Sequence, residues 1–338
     1  MREVCIIGAG WAGLSAASRL RAAGVDVVVV EKARGPGGRC STRRQDGFAF
    51  DHGGQYFTAR SAAFADAVAV WKAAGLVAAW EPRIEVFGPR PANAGTSPAE
   101  RLVGVPGMNA VLKSLAADIE CRFAWRAGRL ERLSNAWQVW RDDGRESIQA
   151  RCLLVTAPPE QSAALLAGHG DLAETIASVP MNPGWALMLG FDQPLEVGFD
   201  AAFDNEGPLS WLSRNSSKPG RSGEAWLLHA GAGWSKEHLE RDADWVAEQL
   251  LAAFNARVPA ARTVKPALVS AHRWRYALAP KPLKQDCLLD PERALAVAGD
   301  WCAGNRIEGA WLSGVAAAEA FLGGKSWGGV DNASGQNG

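Results

Sequence analysis

The stretch Arg2–Ile7 (REVCII) leads directly into Gly8-Ala9-Gly10-Trp11-Ala12-Gly13, and this junction carries most of the information about the fold. REVCII is typical of a β-strand, and apolar residues recur at helical spacing across residues 11–23. Residues 25–31 (VDVVVVE) form a continuous β-branched run, as parallel strands buried on both faces tend to do. This part of the chain therefore predicts a strand–helix–strand unit that ends at Glu31.

The glycines of this junction fit the G-x-G-x-x-G pattern of a dinucleotide-binding turn. Gly8 permits the tight turn, Gly10 lets the backbone approach a pyrophosphate, and Gly13 lets the helix pack closely on the strand. The helix N-terminus offers N–H groups to phosphates, and Glu31 would accept hydrogen bonds from ribose hydroxyls. The predicted cofactor contacts in this region are Gly8, Gly10, Trp11, Ala12, Gly13, Glu31 and Lys32.

A second segment favours FAD over NAD. Gly37-Gly38-Arg39 follows the strand that ends at Glu31 by several residues, as a Gly-Gly-Arg segment does in many FAD oxidases. Gly38 and Arg39 are therefore predicted cofactor contacts, with Arg39 as a permanent planar cation near the pyrophosphate. An NAD-dependent dehydrogenase has no need of this segment.

The flavin end of the cofactor is expected near the other end of the chain. Residues 296–300 (AVAGD) are typical of a strand running into Gly-Asp, and residues 308–314 open a helix predicted over 310–322. Asp300 would accept a hydrogen bond from a ribityl hydroxyl. Glu308, Gly309 and Ala310 would direct the helix N-terminus at the flavin N1–C2=O edge, where reduction places negative charge. Since no cysteine lies in a recognisable attachment segment, we expect FAD to be bound non-covalently.

Composition excludes several classes of partner. Lys plus Arg and Asp plus Glu each total 36, so no charge excess points to nucleic acid or an acidic membrane surface. The six cysteines form no C-x-x-C pair, which disfavours zinc or dithiol chemistry, and we predict no metal site. The chain shows no secretory leader pattern and no apolar run of about 20 residues, so a cytoplasmic location is expected.

Several further segments make the chain similar to the renalase family, a group of flavoproteins related to amine oxidases. They are DHGGQYFTAR (51–60), GVPGMNA (104–110), WLSRNSSKP (211–219), HRWRYA (272–277) and GDWCAGNRIEGAWLSG (299–314), in addition to the amino-terminal motifs. Together they span nearly the whole chain. The resemblance implies an α/β fold in which a Rossmann-type FAD-binding domain (1–60, 100–180 and 265–322) carries an inserted mixed-sheet substrate domain (61–99 and 181–264).

The resemblance also implies a reaction. Renalase-like enzymes take hydride from 2- or 6-dihydro isomers of NAD(P) to flavin N5, giving NAD(P)+ and, with O2, hydrogen peroxide. A dihydropyridine expels hydride without help from a protein base, so no catalytic side chain is predicted. The substrate would be a dihydronicotinamide dinucleotide, and the preference for NAD or NADP and the oligomeric state stay open.

Candidate wall residues come from the family-like segments. Gly54, Gln55 and Tyr56 are expected beside the flavin, and the backbone of Ala127 beside the adenine by analogy. Trp274 and Tyr276 lie two residues apart and would share one face of a strand. The predicted substrate contacts are Tyr56, Phe57, Thr58, Arg60, Arg214, His229, Trp274 and Tyr276, with Lys218 as a further candidate for substrate phosphates.

Other functions remain open on these residues. Aromatic walls before a flavin would also suit an FAD-dependent amine oxidase or another small-molecule oxidase, and a non-catalytic FAD-binding redox sensor would carry the same phosphate loop. The carboxyl-terminal Gly-Asp and helix motif counts against a plain NAD(P)-dependent dehydrogenase. Elsewhere the sequence predicts a single helix over 237–255, a short strand over 152–155 that ends at Pro158-Pro159, and a flexible tail over 323–338.

Overall fold

The computed structural model describes residues 1–89, 99–323 and 327. The chain divides into two compact units, each assembled from separate segments. Unit 1 comprises Met1–Gly38, Leu112–Pro180 and the residues from Ala279 onward, and unit 2 comprises Arg39–Val111 and Met181–Leu278. Segments 39–60, 100–111 and 265–278, which the sequence analysis grouped with the cofactor domain, fold with unit 2.

The elements are numbered in chain order. The strands are β1 (Arg2–Ile7), β2 (Val27–Val30), β3 (Thr42–Gln45), β4 (Phe48–Asp51), β5 (Val77–Ala79), β6 (Ile84–Phe87), β7 (Leu102–Gly104), β8 (Glu120–Arg122), β9 (Ala127–Arg132), β10 (Trp137–Arg141), β11 (Ser147–Val155), β12 (Asn182–Phe191), β13 (Ala201–Asp204), β14 (Leu209–Arg214), β15 (Glu224–Ala230), β16 (Leu268–Leu278), β17 (Leu288–Asp290) and β18 (Leu295–Val297). The helices are α1 (Trp11–Ala22), α2 (Ala62–Ala73), α3 (Ala110–Ala117), α4 (Pro159–Leu166), α5 (Leu172–Ala177), α6 (Ala232–Glu237), α7 (Ala243–Arg257), α8 (Asp300–Ala303) and α9 (Ile307–Leu322).

Unit 1 is built on a largely parallel sheet. Its strand order is β17-β18-β11-β1-β2-β8, and the β9–β10 hairpin extends from β11. Strands β2, β1, β11 and β18 run parallel, and the four valines of β2 are all buried, which explains the β-branched run in the sequence. This arrangement confirms the predicted Rossmann-type α/β fold, with β1, α1 and β2 close to their predicted bounds.

Unit 2 is built on a mixed sheet of order β16-β12-β15-β14-β13-β6. The β6–β13 pair is parallel and the other pairs are antiparallel, as the prediction of a mixed sheet requires. Side chains alternate between its two faces. One face is covered by α7, through Val246, Leu250 and Phe254. The opposite face packs against Phe50 of β4 through Met188 and Leu227, and we call it the β4 face.

Three local predictions need correction or fall outside the described residues. The helix predicted over 237–255 is α7, which begins later, at Ala243, because Asp242 caps it by accepting a hydrogen bond from the Trp245 N–H at 2.8 Å; Glu237 is instead the last residue of α6. Pro159 begins α4 rather than only ending a strand, since proline suits the first helical position. Of the predicted tail, residues 324–326 and 328–338 lie outside the described residues.

Candidate functional site

The glycine turn of unit 1 is held by a threonine that the sequence motif does not contain. Gly8 has a φ of +112°, a conformation that favours glycine, and a Cβ there would lie 2.5 Å from Thr156 Oγ1. The Thr156 hydroxyl, just beyond β11, donates to the Ile7 carbonyl at 2.8 Å. Thr156 therefore fixes the turn from the neighbouring parallel strand.

The other two glycines of the motif differ in their surroundings: Gly13 is closely packed, whereas Gly10 has open space beside it. A Cβ on Gly13 would lie 1.9 Å from the Gly8 carbonyl oxygen, so α1 can approach β1 only with glycine there. A Cβ on Gly10 would meet no atom within 4 Å, and no side chain caps α1, which begins at Trp11. An uncapped helix N-terminus beside open space suits a pyrophosphate, so these residues fit the predicted dinucleotide.

Glu31 lies where the motif requires it, at the end of β2. Its buried carboxylate accepts hydrogen bonds from the N–H groups of Ala9 at 2.9 Å and Ala33 at 2.7 Å. Lys32 turns its ammonium group to Gln161, at 2.8 Å. The Trp125 N–H donates to the Glu31 carbonyl at 2.9 Å, which places the start of β9, and with it Ala127, on the Glu31 side of the unit.

The carboxyl-terminal motif meets the amino-terminal motif inside unit 1. A Cβ on Gly314 would lie 2.1 Å from the Ala12 carbonyl oxygen, and the Ser15 hydroxyl donates to the Trp311 carbonyl at 3.1 Å. Helices α1 and α9 therefore cross at a point where only a glycine fits. The two predicted ends of the cofactor site belong to one compact unit.

The polar residues of the carboxyl-terminal motif are buried. Asp300 begins α8 and Glu308 lies in the first turn of α9, with exposed fractions of 7% and 6%. Helix α9 begins at Ile307, three residues before the predicted start. The Ala310 N–H donates to the Arg306 carbonyl at 3.0 Å, so this amide belongs to the helix ladder and cannot be one of the end groups offered to a flavin.

In unit 2, Arg39 packs its backbone against the glycine pair that precedes Gln55. The Gly54 N–H donates to the Arg39 carbonyl at 2.9 Å, and a Cβ on Gly53 would lie 1.9 Å from the same oxygen. The Arg39 guanidinium donates to the Ala277 carbonyl at 3.2 Å. Arg39 thus ties the loop after β4 to the end of β16.

A buried ion network, not anticipated from the sequence, lies beneath this loop. The Asp51 carboxylate accepts hydrogen bonds from the Thr42 hydroxyl at 2.7 Å, the Met108 N–H at 2.9 Å and Arg221 Nη2 at 2.6 Å. Lys218 Nζ lies 3.7 Å from the same carboxylate, and neither side chain is exposed. Burial opposes ionisation of Asp51, but Lys218 and Arg221 outweigh it and hold its pKa below the usual range.

Lys218 is buried rather than a loop cation open to solvent. Its ammonium donates to Asn215 Oδ1 at 3.0 Å and Gln55 Oε1 at 3.2 Å. Loss of hydration lowers its pKa to about 8, against the opposing effect of Asp51. The Gln55 amide donates in turn to the Gly53 carbonyl at 2.9 Å. The network therefore holds the Gly53–Gly54–Gln55 backbone in place.

Three histidines and Trp274 lie on the β4 face of the sheet. Trp274 Nε1 donates to the His52 carbonyl at 2.9 Å, and His229 Nε2 lies 3.4 Å from the same oxygen. The His52 and His272 rings are 4.9 Å apart. Burial lowers the pKa of His52 to about 3 and those of His229 and His272 to about 4, so all three imidazoles are neutral at pH 7.

An aromatic group surrounds Tyr56 in the same unit. The Tyr56 ring lies 6.1 Å from Trp80 and 5.9 Å from Trp211, between centroids. The Arg101 guanidinium lies 5.5 Å from the Tyr56 centroid, and Lys218 Nζ lies 5.4 Å from the Trp80 centroid. We call Tyr56, Trp80, Trp211 and Arg101 the Tyr56 cluster. Trp80 and Arg101 lie in no motif that would identify them from sequence, whereas Trp211 begins the family-like segment WLSRNSSKP but is not singled out within it.

The structure does not bring every predicted substrate residue to these groups. Phe57 is buried against Phe64 of α2, with centroids 5.9 Å apart, since neighbouring residues in extended backbone point to opposite sides. Arg214 pairs with Glu224 at 3.2 Å and lies over Trp226, on the α7 face of the sheet and opposite His229. Thr58 is half-buried and Arg60 exposed in the following loop.

Tyr276 of β16 is half-buried, and it lies where the register of β16 against β12 is interrupted, between Trp274 and Leu278, so its face stays a prediction. Of the predicted residues, the structure brings together Gln55, Tyr56, Lys218, His229 and Trp274 in unit 2, and it adds His52, Trp80, Arg101 and Trp211.

Unit 1 thus carries a dinucleotide-binding turn, and unit 2 carries a group of aromatic rings and neutral imidazoles. Residues 6–70 match the family described as an NAD(P)-binding Rossmann-like domain. Residues 71–322 match the family described as flavin containing amine oxidoreductase. The chain belongs to this flavin-containing amine oxidoreductase family, and its cofactor is FAD.

Similar proteins of known structure and sequence agree with this assignment. Cyclohexylamine oxidase from Brevibacterium oxydans has a TM-score of 0.75 and 16% identity, over 95% of this chain and 99% of that chain. An oxidoreductase from Methanosarcina mazei has a TM-score of 0.68 and 15% identity, over 94% of this chain and 100% of that chain. The TM-scores of these two structures show a shared fold.

Among curated sequences, a zeta-carotene-forming phytoene desaturase of Myxococcus xanthus is 52% identical over 52 residues. The lycopene-forming phytoene desaturase of Pantoea ananas is 44% identical over 62 residues. The matches cover 15% and 18% of this chain and only 10% and 13% of the respective relatives. Within the described residues, no helix is both long and apolar enough to cross a bilayer.

Proposed function

We propose that this protein is an oxidase that takes hydride from 2- or 6-dihydro isomers of NAD(P) and passes it to non-covalently bound FAD, with O2 as the final acceptor. When bound, FAD would supply the hydride acceptor, and O2 together with one proton would take up the two electrons as hydrogen peroxide. Gly8, Gly10, Gly13, Glu31, Asp300 and Glu308 would hold the cofactor. Tyr56, His229, Trp274 and Tyr276 would form the substrate walls.

The charge around the Tyr56 cluster is the main observation in favour of this substrate. The charged groups that lie over its rings are Arg101 and Lys218, both cations. Asp51, the carboxylate next to Lys218, is balanced by Arg221 at 2.6 Å. A protonated amine would meet repulsion here, whereas the pyrophosphate of a dinucleotide would be attracted.

The neutral histidines fit the same reaction. An amine must lose a proton before it can give up hydride, whereas a dihydropyridine nitrogen already carries the lone pair that expels hydride. His52, His229 and His272 have pKa values of about 3 to 4, so they are weak proton acceptors at pH 7. The protein would act mainly by holding the substrate ring and excluding water, which is sufficient when the substrate needs no base.

An amine substrate is the second candidate, because the family match and the cyclohexylamine oxidase fold both point to amine oxidation. A test that separates the two uses the purified protein with bound FAD, mixed without oxygen. The 2-, 4- and 6-dihydro isomers of NAD(P), cyclohexylamine and putrescine are added in parallel, and the oxidised flavin band is followed.

Rapid bleaching by the 2- or 6-dihydro isomers, without bleaching by 4-dihydro NAD(P)H or the amines, is the expected result. Bleaching by an amine alone would establish the second candidate and refute the first. Reoxidation in air with stoichiometric hydrogen peroxide would identify O2 as an acceptor. The variant Lys72→Met serves as a control for nonspecific charge effects, because its ion pair with Glu100 is exposed.

A further inference from the structure

In and beside the Tyr56 cluster, several buried polar groups have no hydrogen-bond partner in the described part of the chain. Trp211 is 6% exposed, and its Nε1 has no hydrogen-bond partner among the described residues. The same holds for Arg101 Nε and for the hydroxyls of Ser213 and Ser216. A buried group left without a partner costs about 1–3 kcal/mol, so folded proteins rarely leave several in one region.

These groups belong to one side of unit 2. Trp211 and Ser213 are two residues apart on β14 and therefore share a face. Ser216 follows in the turn whose next residue, Ser217, accepts a hydrogen bond from Trp80 Nε1 at 3.1 Å. The Trp80 backbone N–H donates to the Arg101 carbonyl at 2.8 Å. The residue that follows β5 and the residue that precedes β7 are therefore neighbours.

Arg101 differs from its neighbouring cations. Lys218 and Arg221 share the Asp51 carboxylate, at 3.7 and 2.6 Å, and the exposed Lys72 is paired with Glu100 at 2.7 Å. For Arg101 no carboxylate partner lies within the part of the chain that the structure describes, and its guanidinium rests only on the Tyr56 ring. A half-buried guanidinium without an anion retains its capacity for a charge-assisted hydrogen bond to phosphate.

We propose that Arg101, together with Trp211 Nε1 and Ser216 Oγ, forms a subsite for a phosphate group of the substrate. The Tyr56 and Trp80 rings wall this subsite, and the three groups supply donors of a kind that phosphate oxygens accept. This proposal rests on the proposed function for the identity of the ligand, a phosphate of a dihydronicotinamide dinucleotide. The subsite itself requires only a phosphate-bearing molecule.

The test compares Arg101→Met with the wild type, both as purified FAD-bound protein. Two readouts are used. The first is kcat/KM for the 2- or 6-dihydro forms of the dinucleotide, the mononucleotide and the riboside, which carry two, one and no phosphates. The second is calorimetric binding of inorganic pyrophosphate to the resting protein, which does not depend on turnover.

We expect Arg101→Met to lower kcat/KM for the dinucleotide about 10- to 100-fold and to change the riboside value less than about threefold, since only the former uses the charged contact. The mononucleotide identifies which phosphate is bound. Pyrophosphate binding should be lost in Arg101→Met, partly kept in Arg101→Lys and unchanged in Lys72→Met. Lys72→Met removes an equal charge from a nearby exposed pair.

The outcomes separate the subsite from the proposed function. If no dihydro isomer reduces the flavin but Arg101→Met abolishes pyrophosphate binding, the proposed function fails and the subsite stands. If wild-type protein turns over the isomers but does not bind pyrophosphate, and Arg101→Met slows dinucleotide and riboside equally, the subsite is refuted while the function stands.

Discussion

Replacing Asp51 with asparagine tests whether the buried ion network holds unit 2 together. The change keeps the shape of the side chain and removes the negative charge that faces Lys218 and Arg221, whose side chains are 0% and 1% exposed. Removing one partner of a buried ion pair costs about 3–5 kcal/mol, because the opposite charge is left without compensation. The asparagine NH2 would also face the donors of Arg221.

Part of this cost can be relieved by Lys218. Burial lowers the pKa of Lys218 to about 8, so it can release its proton near pH 7 at small cost, whereas arginine cannot be neutralised in this way. We therefore expect Asp51→Asn to lower the free energy of unfolding by about 3–4 kcal/mol at pH 7. At pH 9 wild-type Lys218 is already largely neutral. The difference in unfolding free energy between the wild type and Asp51→Asn should therefore be smaller there by about 1 kcal/mol.

The assay is urea unfolding followed by circular dichroism and tryptophan fluorescence at both pH values. Asp26→Asn is the matched control, because Asp26 pairs with Arg2 at 2.8 Å on the surface and is 47% exposed. A surface pair of this kind contributes about 0–1 kcal/mol. A loss for Asp51→Asn no larger than that for Asp26→Asn would show that the network does not stabilise the fold as argued.

Three other predictions follow from the packing and the pKa values. Gly13→Ala should destabilise the protein by about 1–3 kcal/mol or more in thermal unfolding. Gly10→Ala should unfold like wild type but retain less FAD after gel filtration. Equal unfolding free energies for the two variants would contradict this reasoning. Because the pKa of His229 falls to about 4 in the folded state, its stabilising effect is complete above about pH 6.5 and is lost as pH falls toward 4. His229→Gln should thus make the fall of the unfolding free energy between pH 6 and 5 shallower by about 1 kcal/mol, and an unchanged slope would refute this. Burial raises the pKa of Cys5 to about 12 and that of Cys152 to about 11, so an aromatic disulfide reagent at pH 8 should modify these thiols only after denaturation, as peptide mapping of the native protein can check.

The sequence predicts unit 1 well because its information is local. The glycine spacing and the β-branched run define β1, α1 and β2 within a short stretch, and the structure has the turn and Glu31 where the pattern places them. Thr156, which holds the turn, belongs to a strand that is distant in sequence and follows no motif. Such a residue can be found only from the pairing of β1 with β11.

Unit 2 was harder to predict because its polar groups are organised through distant contacts. Lys218 lies in a loop-like sequence of serines and prolines, where a lysine is normally exposed, and it is buried only because Asp51 and Asn215 surround it. Arg214 has the same local character but falls on the α7 face. Which face a strand residue takes depends on register, and the register of β14 is set by β15 rather than by its own residues.

The crossing of α1 and α9 also bears on how the protein reaches its folded state. The side of α1 that carries Ala12 and Ser15 can be covered only after Gly314 of α9 has been synthesised, and β11 lies between β1 and β18 in the sheet. During translation the apolar faces of the amino-terminal strand–helix–strand segment would stay exposed to solvent until the intervening chain has been synthesised. Contacts so distant in sequence slow folding and prolong exposure to aggregation. Chaperone dependence and a late acquisition of flavin binding on the ribosome are the expected consequences.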